Sequence, residues 1–210
     1  MRGPALAVIV AAIMVIAVLG MRYADQDMPG HLDRSLDTLV RSQLGRDEPV
    51  TRALADLGDP IQVALLIAAV AGAAAVARRW SGVLLTIIGP VAAATTTELI
   101  LKPLIGRLRS GHLSFPSGHT TAVAAVAIAA AILLVGARWP RTIALRMGAG
   151  LAAVALAFGV AISLVAEHIH YTTDTVAGYC VAIAITLALA LCLDYWESRR
   201  RRCARTTSPT

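Results

Sequence analysis

The chain has 210 residues, of which 57% are hydrophobic and 15% charged, with a net charge of +6 and a mean hydropathy of +0.70. A soluble domain carries about 25% charged residues, so this composition excludes one and points to an integral membrane protein built as a single domain. The positive charge sits at the ends of apolar runs, which argues for topology and against nucleic-acid binding. Three cysteines, Cys180, Cys192 and Cys203, form neither a disulfide framework nor a metal-ligand spacing.

In chain order, six apolar segments are predicted at roughly 4–20, 60–77, 82–101, 119–136, 147–166 and 175–193. At 1.5 Å rise per residue each nearly matches a hydrocarbon core of about 30 Å. Continuous Ala/Leu/Val/Ile runs fit helices and not alternating barrel strands. The expected fold is therefore all-α, a bundle of six transmembrane helices. The first segment has a signal-peptide-like Arg2 before it, but the run is long and no A-x-A site closes it, so it reads as a retained span.

Between the first two spans, residues 25–59 place Leu32, Leu36, Leu39, Val40 and Leu44 at helical spacing with charges between them. This predicts one or two short amphipathic helices on the membrane interface. Asp59-Pro60 opens the second span as a helix-start pair. The chain ends in a basic segment, residues 199–210, expected to be a disordered tail beside anionic lipid.

The loops on the N-terminal side carry Arg2, Arg78, Arg79, Arg138, Arg141, Arg146, Arg199–Arg202 and Arg205 against only Asp194 and Glu197. The positive-inside rule then predicts cytoplasmic termini in a multi-pass protein of a bacterial plasma membrane, with the opposite face outward.

Ionisable residues cluster on that outward face. Lys102, Arg107 and Arg109 follow the third span, His112 and His119 precede the fourth, Glu167, His168 and His170 follow the fifth, and Asp174 precedes the sixth. Charges beside spans are costly and mark function. Lys102 and Arg109 can surround an anion. Ser117 and Gly118 stand before a helix N-terminus whose N–H groups cradle phosphate. His170 and Asp174, four apart, allow the carboxylate to accept an imidazole N–H and fix its tautomer. His119 is then free to protonate a leaving group. Glu98, four residues before Lys102, forms a favourable helical pair with it.

Three stretches, "KPLIGRLR", "PSGH" and "SLVAEHIHYTTD", in this order and at these span ends, resemble the three signatures of the type 2 phosphatidic acid phosphatase superfamily, over roughly residues 60–193. The resemblance implies that His170 is the nucleophile, that Asp174 orients it, and that His119 is the general acid. It implies that Lys102, Arg109, Ser117 and Gly118 hold phosphate oxygens, and that no metal or cofactor is needed. The implied substrate is a membrane lipid phosphate or diphosphate: polyprenyl phosphate or diphosphate, phosphatidic acid or phosphatidylglycerol phosphate. The bilayer is the expected partner. Oligomeric state is open, a homodimer included.

Two positions depart from the pattern, the lesser being Ser110 after Arg109, where the first signature usually ends Arg-Pro. Ser163 is followed by Leu164 where the family carries an arginine that helps hold phosphate. Arg107 and His168 are the nearby candidates to compensate. Transfer of the phosphoryl group to an acceptor alcohol, or a weakened relative that only binds phospholipid, are the alternative readings.

Overall fold

The computed structural model describes residues 2–44, 48–137 and 141–206. Helix α1 (Arg2–Tyr23) is followed by α2 (His31–Gln43), α3 (Pro49–Asp56) and α4 (Pro60–Val76). Helix α5 (Trp80–Thr95) continues through a π-helical turn, Thr96–Leu101, into α6 (Lys102–Ile105). After the strands β1 (Leu108–Arg109) and β2 (His112–Leu113) come α7 (Gly118–Val135), α8 (Ile143–Ala166) and α9 (Thr172–Thr206).

Among the described residues, five helical stretches are long and apolar enough to cross a bilayer: Gly3–Tyr23, Trp80–Ile105, Gly118–Val135, Ile143–Ala166 and Thr172–Arg200. The sixth predicted span, α4, has 17 residues and meets α3 at a bend of 67°. The two reach the length of a span only when taken together. A multi-pass helical membrane protein with short amphipathic helices after its first span is thus the observed architecture.

Helix α7 packs against α4, α5, α8 and α9, while α1 packs on α9. The core around α7 is made of small and branched residues, among them Ala93, Val123, Ala124, Ala157, Val160 and Val181. Lipid tails are as apolar as leucine, so helices in a membrane gain by close van der Waals packing, which small residues permit.

Three local features differ from the sequence reading. The end of the third span is π-helical, with the Lys102 N–H bonded to the Thr97 carbonyl five residues back. The loop after it contains a two-residue hairpin pairing Leu108 with Leu113 and Arg109 with His112. Ser110 and Gly111 both take positive φ there (49° and 80°), the backbone of a type I′ hairpin turn. The basic tail is helical to Thr206, because α9 runs on past the apolar segment for 35 residues in all. Its residues 207–210, together with residues 45–47 and Arg138, lie outside the described residues.

Helix α2 has three distinct sides. At about 100° per residue, Leu32, Leu36 and Leu39 share one side, and all three are exposed from the protein. Asp33 and Asp37 lie about a third of a turn away and are buried, at 0% and 2% exposure. His31, Arg34, Ser35 and Thr38 occupy the remaining side and are exposed. Such a helix suits an interface, with leucines to the acyl chains and polar groups to water. Its acidic edge turns inward on the start of α9.

Candidate active site

The two signature histidines come together at one end of the bundle. His119 is the second residue of α7, and His170 lies two residues before α9. Their ring centroids are 5.9 Å apart, with the planes at 60°. The starts of α7 and α9 are fastened to each other. The Ser117 N–H donates to the Asp174 carbonyl at 3.0 Å, and Thr121 Oγ1 donates to the Gly178 carbonyl at 3.2 Å.

Each histidine has its own carboxylate. Asp174 Oδ2 is 3.6 Å from His170 Nδ1, and Asp59 Oδ1 is 3.5 Å from His119 Nε2. Both distances are longer than a formed hydrogen bond. In the sequence Asp59 marks a helix start, and its approach to His119 depends on the fold. Gly58 brings this about, since a methyl group there would lie 2.9 Å from His119 Cβ.

The arrangement around the expected phosphate cradle differs in detail from the sequence-based expectation. Ser117 caps α7, with its Oγ accepting from the Thr120 N–H at 3.3 Å, and its own N–H is taken by Asp174. The N–H groups of Gly118 and His119, at the first two helical positions, are the ones that lack intrahelical acceptors. Lys102 and Glu98 form the predicted ion pair at 2.8 Å, and this pair leans on Gly118. A Cβ at position 118 would stand 2.1 Å from Glu98 Oε1 and 3.9 Å from Lys102 Nζ, so only glycine admits them so close.

Arg109 stacks on the Tyr171 ring, 4.1 Å from its centroid, beside His170. Its Nη2 donates to the His168 carbonyl at 2.9 Å, while Nη1 is buried with no hydrogen-bond partner. Burial pulls the Arg109 guanidinium below its ordinary value, opposed by Tyr171, Asp37 and Asp174. A donor held in this way suits an anion. His168 itself, at φ 60°, meets Arg109 through its carbonyl.

Arg107 occupies another place. Its side chain is fully buried, sandwiched between the rings of Tyr23 (4.3 Å) and Tyr171 (4.5 Å). Nη1 donates to Asp174 Oδ1 at 2.6 Å and to Thr173 Oγ1 at 2.7 Å, and Nη2 to Asp33 Oδ2 at 2.5 Å. The guanidinium therefore supports the Asp174 carboxylate from behind and does not face the cradle. Leu164 is also away from the cradle, with its side chain in the core and its carbonyl accepting from the Ile169 and His170 N–H groups.

Helix α2 supplies the caps of α9. Asp33 Oδ1 accepts from the N–H (3.0 Å) and Oγ1 (2.7 Å) of Thr173, and Asp37 Oδ1 from the N–H (3.0 Å) and Oγ1 (2.6 Å) of Thr172. The orphan donors at a helix start need acceptors, and here a different helix provides them. Neither aspartate was singled out from the sequence, where they appear only as charges between leucines.

A groove of about 360 Å³ opens beside His119 and Gly118 and runs between α4, α5 and α7. Beyond Glu98 and His119 its walls are apolar, including Val63, Ile67, Val91 and Ala122. A larger groove of about 630 Å³ between α1, the π turn and α9 is lined by no ionisable side chain.

Fold and site together define a multi-pass α-helical membrane protein with paired imidazoles, carboxylates and cations gathered at one end of its bundle. The family model of the PAP2 superfamily matches residues 4–198, and the chain belongs to that superfamily. In three dimensions it is similar to the crystal structure of the first transmembrane PAP2 type phosphatidylglycerolphosphate phosphatase from Bacillus subtilis. The TM-score is 0.68 at 21% identity, over 91% of this chain and 96% of that one. A likeness at this identity speaks for the fold. No curated protein matches the chain.

Proposed function

We propose that this protein is a lipid phosphate phosphatase that works without a metal, through a phosphohistidine at His170. Membership of the superfamily supports phosphatase activity. The observation that carries the mechanism is the 5.9 Å approach of His119 to His170, with Asp174 behind the latter.

Asp174 faces Nδ1 of His170, so Nε2 is the attacking atom. Its lone pair bonds to phosphorus as the bond to the leaving oxygen breaks. The electron pair stays on that oxygen, which takes a proton from the His119 imidazolium. In the second half His119, now neutral, takes a proton from water. The water oxygen bonds to phosphorus, the P–N bond breaks, and its pair returns to Nε2. Lys102, Arg109 and the N–H groups of Gly118 and His119 carry the phosphate charge. One such donor is worth about 10²–10³ in turnover.

The substrate is a lipid whose phosphate enters this cradle while its chain lies in the apolar groove between α4, α5 and α7. The arginine-rich loops on the other side favour an outward-facing site. Phosphate release from polyprenyl phosphate, phosphatidic acid and phosphatidylglycerol phosphate, measured in detergent for wild type and His170→Ala, tests the proposal. Release by wild type on at least one lipid and none by the variant is expected. A fully active His170→Ala would refute it. Phosphorylated acceptor in place of free phosphate would make the enzyme a transferase.

A further inference from the structure

Asp33 lies in the interfacial helix and outside every signature motif, yet it is fully buried against the machinery of His170. Three buried ionised groups stand in line: Asp33, Arg107 and Asp174, with the guanidinium shared between the two carboxylates. Together they carry one net negative charge. Among the described residues, the neighbour of this row that becomes cationic in the proposed reaction is His170, when Nε2 bonds to phosphorus while Nδ1 keeps its proton.

We infer that Asp33 is a positioning residue for the nucleophile, acting on His170 through Arg107 and Asp174. Asp33 draws on half of the guanidinium, so Arg107 holds Asp174 Oδ1 in place without cancelling the charge that Oδ2 presents to His170. Without that carboxylate the row is neutral, and the cationic phosphohistidine has no counter-charge. An asparagine cannot substitute. Its amide must face either the Arg107 Nη2 donor or the Thr173 donors with an N–H₂ group. Helix α2 thus belongs to the catalytic apparatus, and the leucine side opposite the water keeps it seated on the bilayer.

The control is built into the same helix. Asp37 caps Thr172 as Asp33 caps Thr173, but among the described residues its hydrogen bonds go to Thr172 and Arg41, where those of Asp33 reach Arg107. A structural cap and a positioning residue therefore predict different kinetics. The experiment measures kcat, KM and thermal unfolding of full-length wild type, Asp33→Asn, Asp33→Glu and Asp37→Asn in lipid nanodiscs. The substrate is whichever of polyprenyl phosphate, phosphatidic acid and phosphatidylglycerol phosphate the wild type cleaves fastest.

We expect Asp33→Asn to lose roughly 10–100-fold in kcat, as for other outer partners that hold a functional imidazole, with KM within about threefold. Asp33→Glu regains part of that loss. Asp37→Asn unfolds at a similarly lowered temperature but keeps kcat within about threefold. If Asp33→Asn keeps the wild-type kcat, or if both variants lose kcat equally, the inference is overturned and Asp33 is only a cap. The inference rests on the phosphohistidine reading, and an active His170→Ala would refute that reading whatever Asp33 does.

Discussion

Arg107→Met is the substitution whose outcome separates a structural guanidinium from a phosphate ligand. The side chain is fully buried between two tyrosine rings and paired with two carboxylates that are themselves at 0% exposure. Removing one partner of a buried ion pair costs about 3–5 kcal/mol, because the remaining charge stays desolvated. Each lost ring contact adds about 1–2 kcal/mol, and partial relaxation returns some of the total. A net loss of about 5 kcal/mol, the low end of these terms together, follows, and at about 2–4 °C per kcal/mol for a chain of this size the melting temperature falls by roughly 10–20 °C. Turnover falls with it, since Asp174 loses its support.

Arg109→Ala makes the opposite pattern. Arg109 is half-buried and holds one carbonyl and one ring, so its removal costs about 1 kcal/mol but about 10²–10³ in kcat. Adding Asp33→Asn to Arg107→Met leaves one buried carboxylate where there were two. The double variant should therefore be more stable than the sum of the singles by more than about 1 kcal/mol. Thermal unfolding in detergent followed by intrinsic fluorescence, beside phosphate release, measures all of this. An Arg107→Met protein that melts within about 2 °C of wild type would refute the charge-row argument.

Other substitutions probe the cradle and the acid. Gly118→Ala puts a methyl group where Glu98 Oε1 now lies. Because Glu98 is half-exposed and can swing out, stability should change by less than about 1 kcal/mol. The methyl still stands over the phosphate site, and kcat/KM should fall about tenfold or more; an unchanged value would remove Gly118 from the cradle. Asp59→Ala takes away the carboxylate beside His119, and kcat should fall roughly 3–10-fold with KM little changed, well short of the loss of the acid itself, about 10²–10⁴-fold. Replacing Leu32, Leu36 and Leu39 together by serine removes the lipid-facing side of α2. That should reduce kcat in nanodiscs at least as much as Asp33→Asn does, with steady-state kinetics as the check.

The half of the site that depends on chain spacing was legible in the sequence. His119 at a helix start, His170 four before Asp174, and Lys102 four after Glu98 are fixed by local geometry, and each stood at the end of an apolar run. What depended on tertiary contact was not legible. Asp33 and Asp37 sit between leucines on an amphipathic helix. In a membrane protein the leucines face lipid, so the pattern does not say which polar residues turn inward. Arg107 and Arg109 are two residues apart on one short stretch, and nothing local distinguishes the one that goes under Asp174 from the one that goes over Tyr171. The π turn beside Gly118 that holds Glu98 and Lys102 has no compositional signal, and the Ser110-Gly111 pair marks a turn without fixing the strands beside it.

The central claim is that His170 takes the phosphoryl group with His119 as its acid, and trapping tests it most directly. Wild type is mixed with a lipid phosphate labelled in its phosphoryl group, quenched within milliseconds in base, and digested for mapping of the label. Label should appear on the peptide carrying His170, be lost in acid as a phosphoramidate is, and vanish in His170→Ala. His119→Ala should slow both its formation and its decay. Label on another residue, or steady turnover in His170→Ala without any labelled protein, would contradict the account.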